Sequence, residues 1–81
     1  MPPSGVRAER IAAGSVRVSW KGGAGAEYRV RCLGADGRWR VVGRTTATTI
    51  EDGGAVAGPV PVYGVSAAVD GTRSDEVRSD R

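Results

Sequence analysis

Apolar and polar residues alternate in short runs along this chain and never settle into the three-and-four spacing of a helix face. The clearest run is Val16-Arg17-Val18-Ser19-Trp20, in which every second residue is apolar, the period of a strand with one buried face. Tyr28-Arg29-Val30-Arg31-Cys32 repeats it, with Tyr28, Val30 and Cys32 on one side and two arginines on the other. Asp36-Gly37 is a two-residue hairpin signal, because both positions adopt positive φ cheaply. The returning strand is Trp39-Arg40-Val41, whose alternation puts Trp39 and Val41 inside and Arg38 and Arg40 outside. Val6-Arg7-Ala8 reads as a short edge strand, Thr45 to Ile50 as a Thr-rich strand, Pro61 to Ala67 as an alternating strand, and Glu76-Val77-Arg78 as the last. Lys21 to Gly25 and Glu51 to Pro59 are glycine-rich loops, and Asp70-Gly71 is a turn.

Seven short strands with turn signals between them and no helical stripe predict an all-β, seven-stranded antiparallel sandwich of the immunoglobulin-like kind. The expected boundaries are an entry linker over 1–5, extended by Pro2-Pro3, one domain over 6–78, and a tail over 79–81. Eighty-one residues allow a single domain, which buries roughly 60–65% of its unfolded surface. Val and Ala supply most of the apolar residues and Phe is absent, which suits a pleated sheet better than a helix. The basic residues are eleven Arg and one Lys, a usage like that of high-GC bacterial coding sequences. No run has transmembrane length, and no signal-peptide apolar segment follows the first residues, so membrane insertion is not expected.

Charge and chemistry narrow the function classes. The net charge of +3 is small and interspersed, so nucleic acid is not an expected partner. The chain has no His, which removes the commonest general base and metal ligand. Cys32 is alone, lies on an apolar face, and reads as an inert buried thiol. One such residue cannot supply the four ligands of structural zinc. Glu51-Asp52 and Asp75-Glu76 are sequence neighbours beside loops and read as solvated charge rather than an acid/base pair or a calcium site. Gly22-Gly23-Ala24-Gly25 lacks the Gly-Lys-Ser/Thr ending of a phosphate cradle. No catalytic residue, metal site or cofactor is therefore expected. Arg29 and Arg31 on one strand, and Arg38 and Arg40 on its partner with Arg44 just beyond, are expected to form one basic patch. The patch reads either as solvated surface that blocks edge pairing or as a docking surface for an acidic domain or anionic polymer.

Taken in order, Pro3, the Val6-x-Ala8 opening, Trp20 ending the second strand, Tyr28 early in the third, Ile50 closing the fifth, and Tyr63-Gly64-Val65-Ser66-Ala67-Ala68-Val69-Asp70-Gly71 resemble a fibronectin type III domain from about Ser4 to Arg78. Pro61 stands where that family commonly has a tyrosine after a Leu-x-Pro-Gly turn. Arg73-Ser74-Asp75 falls in the loop that carries an integrin-binding Arg-Gly-Asp in some animal members, but its central residue is Ser and it reads as a solvated loop. The resemblance implies a non-catalytic spacer or docking module of a larger bacterial protein, with neighbouring domains or another protein as partners. In the alternative it implies an accessory domain binding an anionic polymer or polysaccharide in an exported carbohydrate-active enzyme. An extracellular or cell-surface setting follows from the same resemblance. Fold alone does not fix which.

Overall fold

The computed structural model describes residues 3–23, 25–34, 36–55 and 59–79. Its strands are β1 (Ser4–Ala12), β2 (Ser15–Lys21), β3 (Glu27–Leu33), β4 (Trp39–Thr45), β5 (Thr49–Asp52), β6 (Tyr63–Val69), β7 (Thr72–Arg73) and β8 (Val77–Arg78). One antiparallel sheet has the order β1-β2-β5, and the other has the order β4-β3-β6-β7 with β8 also on β6. No helix occurs among the described residues.

The alternating runs supply the two inner faces. Val16, Val18 and Trp20 face Tyr28, Val30 and Cys32, with Tyr63, Val65 and Ala67 completing the core. All nine are at most 5% exposed. The Trp20 and Tyr28 rings meet edge to face at 5.3 Å, a favourable geometry beyond the area it buries.

Several boundaries differ from the sequence reading. β1 is longer than Val6-Arg7-Ala8 and begins at Ser4, inside the expected linker. Two register shifts interrupt its pairing with β2, so strict alternation marks only its middle. Glu51 and Asp52, expected in a loop, extend β5 opposite Arg17 and Val16. Thr45 ends β4, so the Thr-rich segment is divided between two strands rather than being one. Of the expected linker and tail, Met1, Pro2, Asp80 and Arg81 lie outside the described residues. Ser79, the first residue of that tail, is buried.

The last strand is one edge in two pieces. β7 pairs with Ala68 and Val69, while β8 pairs with Gly64 and Val65, along the same side of β6. A serine closes each piece in the same way. Ser74 donates its N–H to the Ala67 carbonyl at 2.7 Å and accepts the Ala67 N–H on its hydroxyl at 3.0 Å. Ser79 does the same with Tyr63, at 2.8 and 2.9 Å. Each hydroxyl thus stands in for the carbonyl that an unbroken strand would present. Arg73-Ser74-Asp75 is therefore a strand interruption tied to β6, not a free loop.

The pairing of β3 with β4 sets the surface. Leu33 lies opposite Trp39, Cys32 opposite Arg40 and Arg31 opposite Val41. Five residues thus connect the strands, where a two-residue turn would have needed an even number. The odd connection reverses the expected faces. Trp39 and Val41 join Arg31 on the outer face, and Arg40 turns inward beside Cys32. Val41 is 59% exposed. The register then slips by one between Arg31↔Val41 and Val30↔Gly43, leaving Val42 as a bulge residue packed against the core. Beyond the bulge the original parity returns, and Arg44 faces outward opposite Arg29.

Candidate interaction surface

The outer face of the larger sheet is built in rows. One row runs Arg44, Arg29, Ser66 across β4, β3 and β6, and the next runs Val41, Arg31, Gly64, Arg78 across β4, β3, β6 and β8. The outward positions of β6 are Gly64, Ser66 and Ala68. Such small residues leave a trough in which the long side chains of the flanking strands can lie down. Ser66 is 2% exposed although it faces away from the core, and Arg73 donates from Nη1 to its hydroxyl at 3.1 Å.

Over Gly64 an ion pair spans β6. Arg31 donates from Nε and Nη2 to the two carboxylate oxygens of Glu76, both at 2.7 Å, a bidentate fork. A Cβ at position 64 would sit 2.5 Å from Glu76 Cδ, so the bridge depends on glycine there. The hydrogen bond from Arg31 holds the Glu76 carboxyl below its ordinary pKa against the opposing effect of burial, with the charges of Arg31, Arg29 and Arg78 adding to it. The guanidiniums of Arg31 and Arg78 lie over the Trp39 ring, 4.8 and 5.2 Å from its centroid, within cation–π range. Trp39 is thus neither core, as alternation suggested, nor an open platform. It is the partly buried floor under two cations.

The four arginines of the expected patch are not brought together. Arg29 and Arg31 share the outer face as expected. Arg38 lies before β4 starts and is exposed. Arg40 is on the opposite face, where Nη2 donates to Asp52 Oδ2 at 2.8 Å. The reason is the odd connection between Leu33 and Trp39, which turns residue 40 through the sheet. In their place the register supplies Arg44, Arg73 and Arg78. The outward strand positions carry Arg29, Arg31, Arg44, Arg73 and Arg78 against Glu27, with Glu76 folded over Gly64 onto Arg31. On the other sheet Arg17 and Glu51 form an exposed pair.

Where Arg40 goes, the two sheets are pinned together. Asp52 is 3% exposed and accepts from Arg40, from the Tyr63 hydroxyl at 2.8 Å and from the Gly54 N–H at 3.1 Å. Burial pushes its carboxyl up, but the hydrogen bonds from Arg40, Tyr63 and Gly54 outweigh that and leave it below the ordinary range. Burial and the Asp52 bond together push the Tyr63 hydroxyl far up, so it stays a donor. Cys32 lies beside them at the wall of a cleft of about 550 Å³ that Arg40, Gly54 and Val62 also line. Its thiol is raised by burial, which suits an unreactive core residue. Sequence reading missed Asp52 because it placed Glu51-Asp52 in a loop, and missed Glu76 and Arg78 because their partner is reached across a third strand. The legible signals were Gly64-x-Ser66-x-Ala68, small residues at every outward position of one strand, and the Val41-Val42 doublet that breaks alternation.

No protein-family model and no curated protein matches the sequence. Solved structures do match. A fibronectin type III-like protein from Clostridium thermocellum aligns at 23% identity over 98% of this chain and 88% of its own, with a TM-score of 0.81. A structure described as FN3tt aligns at 16% identity over 96% of this chain and 87% of its own, with a TM-score of 0.82. A multi-domain titin fragment aligns at 24% identity over 98% of this chain but 30% of its own, with a TM-score of 0.80. The chain therefore has the fibronectin type III fold, an immunoglobulin-like β-sandwich.

Proposed function

We propose that this chain acts as a non-catalytic spacer and protein-interaction module within a larger protein. The observation that carries the reading is where the described chain enters and leaves. Ser4 pairs with Lys21 at the end of β2, and the short connection from Lys21 leads to Glu27, which pairs with Ala68 near the end of β6. Ser79 instead bonds Tyr63 at the start of β6. The two termini of the domain thus lie at opposite ends of a body whose longest extent is 37 Å. That geometry transmits a chain in line and holds its neighbours apart, as in a string of domains. The titin fragment, of which this chain matches under a third, supports the same reading. A polysaccharide platform gains no support, because the ring of Trp39 is covered by Arg31 and Arg78 rather than laid open.

The test is autonomy. Backbone amide spectra of the isolated domain and of the same residues within the parent chain should superpose except near the ends and on any docking face. Shifts scattered through Val16, Val30 and Val65 would show that the core is shared with another part of the protein, and the module reading would fall.

A further inference from the structure

Resting on that module reading, we infer that the outer face of the larger sheet is a docking surface for an acidic polypeptide segment carrying an apolar anchor. Glu76 already occupies, within the domain, one of the sites its carboxylates would seek. Charge complementarity comes first. Five arginines stand on this face against Glu27 and Glu76, and among the described residues Arg29, Arg44 and Arg78 have no carboxylate within ion-pair distance. Arg29 and Arg44 sit directly opposite each other, so two like charges stand side by side, an arrangement that destabilises an unliganded sheet and that a bridging carboxylate relieves.

The aromatic and aliphatic content then selects the class of partner. A nucleic acid stacks its bases on open aromatic faces, and here the Trp39 ring lies under two guanidiniums. A polypeptide needs instead a mixture of arginine and aromatic anchors with exposed apolar surface at their edge, the composition of interface centres. Val41, 59% exposed, lies in the same row as Arg31 and two residues from Trp39. An acidic segment laid across the rows places an aliphatic side chain against Val41 and carboxylates on Arg29 and Arg44. Glu76, folded over Gly64 onto Arg31, shows the geometry in which this face takes a carboxylate. It also competes with the partner for that arginine. Removing its charge frees the Arg31 fork.

The experiment is a titration of the folded domain with a synthetic peptide rich in Glu with interspersed Leu, at ~50 and ~200 mM salt, across which screening lengths shorten. A sulfated oligosaccharide and a single-stranded oligonucleotide of matched charge serve as comparators. The expected result is saturable binding of the peptide, tighter than either comparator and weaker at high salt. The double variant Arg29→Ser with Arg44→Ser should weaken it by about tenfold or more, and Glu76→Gln should tighten it several-fold. Arg7→Ser with Arg17→Ser on the other sheet should leave it unchanged. Thermal midpoints of all variants show that each remains folded. Absence of saturable binding, an equal loss in the Arg7/Arg17 variant, weaker binding by Glu76→Gln, or a comparator that binds as tightly as the peptide would each overturn the inference. If the amide spectra still show an autonomous domain, the module reading survives that failure.

Discussion

Among the described residues Asp52 is the one buried carboxylate, held by Arg40 from β4, Tyr63 from β6 and its own turn at Gly54. Burying it is tolerable only because each oxygen is satisfied. Asp52→Ala leaves the Tyr63 hydroxyl and the Gly54 N–H without their acceptor and should cost about 2–4 kcal/mol, most of it from the buried hydroxyl. Arg40, whose side chain is 48% exposed, contributes little to that loss because water screens it. A denaturant midpoint unchanged in Asp52→Ala would show the cluster to be incidental. Asp52 and Glu76 both have folded-state pKa values below their ordinary ones. The unfolded chain therefore binds more protons in acid. Their contribution is complete above the unfolded values of about 4 and is lost as pH falls through the folded values. Stability measured from pH 7 downward should be flat at first and then decline below about pH 4. The double variant Asp52→Asn with Glu76→Gln should remove most of that decline, and a decline of the same size would point to other carboxylates.

Strands explain both what the sequence disclosed and what it hid. Period-two runs reported β2, β3 and the middle of β6 because each has one face in the core and no irregularity within it. β4 misled because alternation gives a face only once the connection length is known. Pairing Trp39 with Leu33 across a five-residue connection, rather than with Gly34 about a two-residue turn, moved Trp39, Arg40 and Val41 each to the other side. Nothing in Asp36-Gly37 alone specifies that parity, although Gly37 does take the positive φ the pair suggests, at 81°. The bulge at Val42 then restored the parity for Arg44, so one half of the strand contradicts alternation and the other obeys it. The interrupted edge was hidden for a different reason. Ser74 and Ser79 look like loop residues, yet each completes the hydrogen bonding of β6. Ser79→Ala should strand the buried Tyr63 N–H and cost about 1–3 kcal/mol. Amide exchange at Tyr63 should quicken while that at Val30 changes only as much as global stability does. Equal acceleration at every amide would mean that the serine acts through overall packing rather than through this bond.

At the scale of the whole molecule, an 81-residue chain is expected to be stable by only about 4–12 kcal/mol, and that margin depends on a few large side chains. Trp20 and Tyr28 are the only ring pair in contact among the described core residues. Trp20→Ala removes the larger ring from a site 5% exposed and should cost about 3–5 kcal/mol, enough to leave the domain marginal. Cys32 reads out the same quantity from the other sheet. It is 4% exposed, and its strand β3 lies between β4 and β6, so a reagent reaches the thiol only when the sheet opens. Burial also raises its pKa, which lowers the thiolate fraction that reacts. A thiol reagent should therefore label the native domain at least ~1,000-fold more slowly than the denatured chain, the factor that an opening free energy of about 4 kcal/mol implies. If that opening is global, Trp20→Ala must raise the native labelling rate by the same free energy it removes from stability, on the order of 100-fold or more. A labelling rate indifferent to Trp20→Ala would locate the opening at the Cys32–Arg40 end alone, where the cleft beside Val62 gives the reagent a shorter way in.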